Sequence, residues 1–178
     1  KMTKNILLFG DERYEELSIN LIESFDRLPD TYTFYYYTIG FESSLSFKNL
    51  KKIEVPIVPQ YSHFNYYKAD LSLLTLKLFP EEKYFIFSDS DILYSNRFNF
   101  ENLKHDHSYP LASFGPHEYP FMFEYISDTQ IIHNETNLMS YLNVAERSQR
   151  YVWSCFYSFN QDCLDFFEEF SSICNNEY

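Results

Sequence analysis

Two short apolar runs constrain the fold more than any other feature of this sequence. Residues 84–87 form an uninterrupted apolar run directly before the polar stretch 88–91, which reads Ser-Asp-Ser-Asp. A second run, residues 5–9, is apolar from Ile6 onward and is closed by Gly10. An uninterrupted apolar run is typical of a strand that is buried on both faces, as in a parallel sheet. The sequence therefore predicts buried strands at both places and a parallel sheet around them.

Helical patterns alternate with the predicted strands. Apolar residues recur every three or four positions, which predicts helices with one apolar face toward the core. The predicted faces are Leu17, Leu21, Phe25 and Leu28; Tyr67, Leu71, Leu74 and Leu78; and Leu164, Phe167, Phe170 and Ile173 in a last helix capped by Asn160. Further strands are predicted at residues 32–39, 53–58, 111–114, 130–132 and 151–159, and a further helix at residues 135–149.

This alternation predicts an α/β fold, in which helices flank a mostly parallel central sheet. A chain of 178 residues without a linker or repeat is expected to form a single domain, residues 1–178. No stretch is long and apolar enough for a transmembrane segment. The three cysteines lack the spacing of a zinc site, which favours reduced thiols. Reduced thiols predict a cytoplasmic location. This prediction includes a peripheral position at the inner face of the membrane.

Composition limits the ligands that the chain can hold. Its formal net charge of −12, with the basic residues scattered, argues against nucleic acid as a partner. Gly10, Gly40 and Gly115 are the three glycines, and their positions cannot form a glycine-rich phosphate loop. An acidic chain that binds an anionic substrate needs a local cation, and a divalent metal ion supplies one.

Asp89 and Asp91 are the strongest candidates for metal ligands. They follow a predicted buried strand, and ligands of parallel α/β sheets bind at the carboxyl ends of strands. Residues two apart in an extended segment point to the same side, so the two carboxylates can share one hard cation. The alternative is a solvated turn, since Asp and Ser are common turn residues.

Other polar residues give weaker indications. The segment His105-Asp106-His107 is interpreted as a surface loop rather than a metal pair. Lys68 faces away from the predicted leucine stripe, so it is either a solvated lysine or a residue that contacts a ligand. No nucleophile with a matching base can be identified, and the catalytic residues stay unknown at this level.

Several of these features, in this order, resemble the glycosyltransferases of the GT-A fold, and among them glycosyltransferase family 8. The opening segment Ile6-Leu7-Leu8-Phe9-Gly10-Asp11-Glu12-Arg13-Tyr14 is similar to the family's first strand and the Asp-x-x-Tyr element that follows it. The segment Tyr66-Tyr67-Lys68-Ala69-Asp70-Leu71 resembles one in which the family usually carries Arg near the nucleotide. Phe85-Ile86-Phe87-Ser88-Asp89-Ser90-Asp91 resembles the family's metal-binding Asp-x-Asp motif.

The resemblance implies a Rossmann-like GT-A sandwich and a metal-dependent transferase of the hexosyltransferase type. It implies that Asp89 and Asp91 hold Mn²⁺ or Mg²⁺ against the diphosphate of a nucleotide-sugar donor, such as a UDP-sugar. The acceptor would be a glycan or a lipid-linked sugar, as in polysaccharide biosynthesis. The implied nucleotide-binding residues are Phe9, Gly10, Asp11, Tyr14, Lys68 and Ser90.

The sequence also departs from the family pattern. Val152-Trp153-Ser154-Cys155-Phe156 stands where the family carries an Asn-Ala-Gly element. The family's later catalytic element and its third metal ligand, a His, would lie beyond Tyr178, so the usual C-terminal acceptor part is expected to be missing from this chain. Two alternatives therefore stay open: a catalytically silent nucleotide-binding or interaction domain, and a haloacid-dehalogenase-like phosphatase with Asp89 as nucleophile.

Overall fold

The computed structural model describes residues 3–61, 64–96, 110–118 and 150–175, with side chains described outside 111–118 and 150–154. Contacts divide the chain into two units, which are Lys1–Leu111 with Cys155–Tyr178, and Ala112–Ser154. The strands are β1 (Lys4–Gly10), β2 (Tyr32–Ile39), β3 (Leu50–Val55), β4 (Phe85–Ser88), β5 (Leu111–Glu118) and β6 (Arg150–Phe159). The helices in the described residues are α1 (Glu15–Ser24), α2 (Tyr67–Leu78) and α3 (Leu164–Asn175).

The first unit is built on a mixed sheet in the order β3-β2-β1-β4-β6. β1 pairs in parallel with both β2 and β4, and β2 pairs in parallel with β3. β6 runs antiparallel to β4, with Phe85 opposite Phe159 and Ser88 opposite Phe156. This arrangement confirms the prediction of an α/β fold with a mostly parallel sheet.

One face of the sheet packs against α1. Ile6 and Leu8 of β1 point to this face because alternate residues of a strand share a side. Leu21 of α1 is fully buried against them. Phe25, in the 3₁₀ turn after α1, packs edge to face on Phe34 with ring centroids 5.2 Å apart. The core on this side is therefore aliphatic below the helix and aromatic at its end.

The opposite face packs against α2 and α3, and it contains buried hydroxyl groups. The Tyr37 and Thr75 hydroxyls are 2.8 Å apart, and those of Ser72 and Tyr157 are 2.9 Å apart. Burial raises the pKa of Tyr37 to about 12, so this phenol keeps its proton at neutral pH. Phe167 of α3 completes this layer and is 1% exposed.

Three apolar residues predicted to face the core are largely exposed instead. Leu17 is 38% exposed, Leu78 is 47% exposed and Phe170 is 37% exposed. In α2 the buried face is rotated from the predicted one, since Ser72 and Thr75 are fully buried. The hydroxyl pairs with the sheet explain the rotation, because a buried hydroxyl is tolerated where it has a partner.

Predicted boundaries differ from the observed ones by a few residues. The strand predicted at residues 53–58 lies at Leu50–Val55 instead, at the edge of the sheet, and Pro56 follows its end because proline cannot donate to a strand ladder. The Asn160 side chain caps the last helical segment by accepting a hydrogen bond from the Asp162 N–H, as predicted. The elements predicted at residues 130–132 and 135–149, and the segment 105–107, lie outside the described residues.

Within the described part of the chain, none of the helices combines the length and apolar character needed to cross a membrane.

Burial separates two phenylalanines of α3 and allows a stability test. We expect Phe167→Ala to lower the free energy of unfolding by about 3–5 kcal/mol, because it opens a cavity in a packed aromatic layer. Phe170→Ala is the control on the same helix, and its loss is expected to be about 1 kcal/mol or less. Urea denaturation of both variants measures the difference. Equal losses would contradict the observed orientation of α3.

Candidate functional site

The candidate site lies where the sheet connections change direction. The chain moves from β1 to β2 and β3 on one side, and β4 then adds to the other side of β1. Such a switch leaves a crevice at the carboxyl ends of the two central strands, and ligands of open α/β sheets bind there. β1 and β4 are parallel and in register from Asn5 opposite Phe85 to Leu7 opposite Phe87. Their polar carboxyl-terminal segments therefore meet at one edge.

A cavity of about 190 Å³ opens at this edge. Six of the residues predicted from sequence line it, namely Phe9, Gly10, Tyr14, Asp89, Ser90 and Asp91. Phe64 and Asn65, just before α2, complete the wall and were not predicted. Asp11 and Lys68 do not line this cavity.

Lys68 is buried, being 4% exposed, and its ammonium group lies 3.0 Å from each carboxylate oxygen of Asp89. The interpretation of Lys68 as a solvated lysine is therefore wrong. The ammonium also lies 5.2 Å from the centre of the Phe87 ring. Burial raises the pKa of the Asp89 carboxyl, Lys68 opposes that shift, and Asp91 adds to it. Lys68 thus fixes the orientation of Asp89 and compensates its charge.

The loop that carries the two aspartates is anchored on both sides. The Asp89 N–H donates to the Cys155 carbonyl of β6 at 2.8 Å, and this bond continues the antiparallel pairing of β4. On the other side, the Ser90 hydroxyl donates to the Phe9 carbonyl of β1 at 3.0 Å. Asp89 keeps 27% of its side chain exposed and Asp91 is exposed. The loop is thus fixed in its backbone while both carboxylates reach solvent.

Gly10 and Tyr14 form another part of the cavity wall. A Cβ atom at Gly10 would lie 2.7 Å from the Tyr14 Cβ, so only glycine permits this close approach. The Tyr14 ring packs on Phe64 with centroids 5.6 Å apart and is 38% exposed. Two aromatic rings at a cavity edge provide a surface on which a planar ligand group can stack.

A second cavity, of about 270 Å³, shares Phe64 with the first one. Asp11 and Arg13 line it together with apolar residues such as Ile39 and Tyr61. The Asp11 carboxylate accepts from the Arg13 backbone N–H at 3.0 Å and from its guanidinium at 2.8 and 2.6 Å. This contact raises the pKa of the Arg13 guanidinium. Asp11 therefore lies beside the aspartate site rather than within it, and its charge is paired with the Arg13 guanidinium.

The chemistry of the donor set fits a hard divalent cation. Asp89 and Asp91 offer carboxylate oxygens, the ligands that Mg²⁺ and similar ions prefer. The described residues contain no group of three or more His, Cys, Asp or Glu side chains placed to hold a metal ion. A two-carboxylate site of this kind takes its remaining ligands from water and from substrate phosphates. The chemistry of the two carboxylates, rather than a complete set of protein ligands, is therefore what fits a metal here.

Several residues of the site were missed by the sequence analysis. Ser18, on α1, hydrogen-bonds to Ser90 at 3.2 Å and to the Tyr14 carbonyl at 3.0 Å. Tyr94 is buried, and its hydroxyl donates to Ser88 at 2.9 Å. The i to i+4 spacing of Tyr14 and Ser18 could have indicated their contact, but nothing in the sequence pairs Ser18 with Ser90.

Three solved structures of similar fold are those of glycosyltransferases. The chain superposes on the galactosyltransferase LgtC in complex with donor and acceptor sugar analogues with a TM-score of 0.60 at 13% identity, covering 97% of this chain and 66% of that one. The bifunctional glycosyltransferase WbbM gives a TM-score of 0.61 at 13% identity, with 97% and 34% coverage. The Q189E active-site mutant of LgtC gives 0.58 at 13% identity, with 94% and 59% coverage.

The chain has the GT-A glycosyltransferase fold. It spans less than two thirds of the length of each of these three structures. No protein-family model matches the sequence, and no curated protein matches it. The superposition on these three structures confirms the fold prediction made from the aspartate motif and the strand pattern.

The Lys68–Asp89 pair allows a test that needs no ligand. Lys68→Met leaves the Asp89 carboxylate without this cation in a largely buried position, so we expect a loss of about 2 kcal/mol in the free energy of unfolding. The matched control is Lys77→Met on the same helix, where the pair with Glu168 at 3.3 Å is half exposed. Its expected loss is about 0.5 kcal/mol or less. Chemical denaturation at low ionic strength compares the two.

Adding Asp89→Asn to Lys68→Met removes the uncompensated charge, and we expect it to restore at least half of the lost stability. A double variant as unstable as the single one would show that Lys68 stabilises the fold by packing rather than by its charge.

Proposed function

We propose that this chain is the donor-binding part of a metal-dependent glycosyltransferase related to family 8. In this proposal it moves a sugar from a nucleotide-sugar, a UDP-sugar, to a glycan or lipid-linked acceptor in polysaccharide synthesis. The observation that carries the proposal is that Asp89 and Asp91, at the carboxyl edge of the sheet, line one cavity together with Tyr14. The GT-A fold supports it, because that fold is shared with LgtC, whose structure holds donor and acceptor sugar analogues.

Charge supports a role for a metal ion in this site. A nucleoside diphosphate is strongly anionic, and the chain carries a net charge of −12. Lys68 is a nearby cation, but its ammonium already lies against both oxygens of Asp89. A divalent ion held by Asp89 and Asp91 would offset part of the negative charge of Asp91 and of the diphosphate. Bound there, Mn²⁺ or Mg²⁺ supplies Lewis acidity that stabilises the departing nucleoside diphosphate.

The chain's own residues prepare the site for such a ligand. Lys68 holds Asp89 in a fixed orientation, so the first carboxylate does not have to be ordered on binding. Asp91 is exposed and reaches the ligand from the opposite end of the short loop. Tyr14 and Phe64 would offer ring faces to the nucleoside, and Gly10 permits the close approach of Tyr14 to the end of β1.

Calorimetric titration of UDP with and without Mn²⁺ tests the metal role. We expect binding that depends on Mn²⁺ in the wild-type chain. In Asp91→Asn the affinity should fall by at least about tenfold, or ~1.4 kcal/mol, because one of two protein ligands loses its charge. Asp26→Asn, an exposed carboxylate on the 3₁₀ turn after α1, is the control and should bind as the wild type does.

Two results would contradict the proposal in different ways. UDP binding that is equal with and without Mn²⁺ would remove the metal role and favour a nucleotide-binding domain without transferase chemistry. A lack of UDP binding under both conditions would contradict the uridine donor itself.

The nucleoside part of the site can be tested without a metal. We expect Tyr14→Ala to weaken the binding of uridine monophosphate by about tenfold in the presence of EDTA, because stacking of a base on an aromatic ring contributes about 1–3 kcal/mol. Tyr66→Ala is the matched control, since Tyr66 is also 38% exposed and lines neither cavity. Equal affinity of the two variants would exclude Tyr14 from the nucleoside site.

A further inference from the structure

Two buried serine hydroxyls join three walls of the aspartate cavity. Ser90 lies between the two aspartates in the sequence, and its hydroxyl donates to the Phe9 carbonyl at 3.0 Å. The Ser18 hydroxyl lies 3.2 Å from the Ser90 hydroxyl and 3.0 Å from the Tyr14 carbonyl. Ser18 is fully buried and Ser90 is 5% exposed. Through these two side chains, β1, α1 and the aspartate loop are tied together.

The hydroxyl protons can be assigned to these contacts. Ser90 gives its proton to the Phe9 carbonyl, so its oxygen is available as an acceptor for Ser18. Ser18 has one proton for two acceptors, the Ser90 oxygen and the Tyr14 carbonyl one turn earlier in the helix. Because one hydroxyl contacts both groups, Ser18 bridges the Tyr14 turn and the aspartate loop.

We propose that Ser18 is a positioning residue that sets the separation between the Tyr14 wall and the Asp89–Asp91 loop. The inference rests on the proposed function, because it concerns the geometry of the donor site. Ser18 lines neither cavity, so it acts through Ser90 and Tyr14 rather than by contact with a ligand.

The location of Ser90 makes this link specific to the aspartate motif. Asp89 is held on its other side by β6 and by Lys68, and neither of these contacts reaches Asp91. Ser90 is the residue adjacent to Asp91, and its side chain fixes the turn on which Asp91 stands. Loss of the Ser18 contact leaves the Ser90–Phe9 bond as the remaining side-chain tie of this turn, so we expect the Asp91 end of the loop to loosen while the Asp89 end stays anchored.

The test compares Ser18→Ala with Thr75→Val. Thr75 is also a fully buried residue on a helix. Its hydroxyl donates to the Leu71 carbonyl one turn earlier at 2.6 Å, and it also contacts the Tyr37 hydroxyl. Neither Thr75 nor these partners line the cavities. Both variants should lose similar stability in urea. We expect the Mn²⁺-dependent affinity for UDP to fall about fivefold in Ser18→Ala and to stay within about twofold of wild type in Thr75→Val.

Equal UDP affinities of Ser18→Ala and Thr75→Val, at equal stability, would overturn the positioning role. A second comparison uses Ser90→Ala and the double variant Ser18→Ala/Ser90→Ala. If the two hydroxyls act as one link, the double variant binds UDP no more weakly than Ser90→Ala alone. Fully additive losses would show that Ser18 acts by another route.

Hydrogen exchange separates this inference from the proposed function because it requires no ligand. The Asp89 N–H donates to Cys155 and the Ile92 N–H donates to the Asp89 carbonyl at 3.3 Å. We expect Ser18→Ala to speed the exchange of the Ile92 amide several-fold more than that of Asp89, and Thr75→Val to change neither relative to global stability. If the wild type does not bind UDP, the proposed function fails, and this comparison still decides whether Ser18 holds the loop. Unchanged exchange at Ile92 would overturn the inference.

Discussion

The parallel pairing of β1 with β4 is the constraint on which the site depends. Because the two strands run side by side in register, the residues after Gly10 and after Ser88 must emerge at the same edge of the sheet. Chain segments about 80 residues apart are thereby placed within hydrogen-bonding distance, as in the bond from Ser90 to Phe9. The apolar side chains of both strands are buried on both faces of the sheet, so a shift in their register would disrupt the packing of both layers. The cavity is thus a consequence of core packing.

The layer between α2 and the sheet contains polar groups that a purely apolar core would not need. Ser72 and Thr75 pair with tyrosine hydroxyls of the sheet, and Lys68 pairs with Asp89. Such groups cost free energy to bury and add orientation when they are fully paired. They fix the rotation of α2 about its axis, and that rotation points the Lys68 side chain at the end of β4. The polar contacts therefore connect the helix position to the aspartate motif.

The sequence predicted the fold and most of the cavity for identifiable reasons. The uninterrupted apolar runs before Gly10 and before Asp89 indicated parallel strands, and parallel strands place their ends together. The sequence singled out Lys68 but could not predict its contact with Asp89. That contact depends on the rotation of α2 about its axis, and the apolar pattern predicted this rotation wrongly at Leu78. The Ser18–Ser90 contact could not be predicted, because it joins residues 72 positions apart through the tertiary structure alone. Local patterns reveal elements and their ends; side-chain pairs across elements require the packed structure.

The two aspartates differ in their surroundings, and this difference suggests how the site divides its tasks. Asp89 has both oxygens at 3.0 Å from one ammonium and a backbone held by β6, so its position is set before any ligand arrives. Asp91 is exposed and depends on the turn that Ser90 fixes. Under the proposed function, a cation would meet Asp89 already fixed by Lys68 and β6, and Asp91 exposed on the turn that Ser90 holds. An exposed side chain keeps rotamer freedom that a doubly contacted one lacks, so adjustment to the oxygens of a phosphorylated ligand would fall to the Asp91 side chain rather than to Asp89.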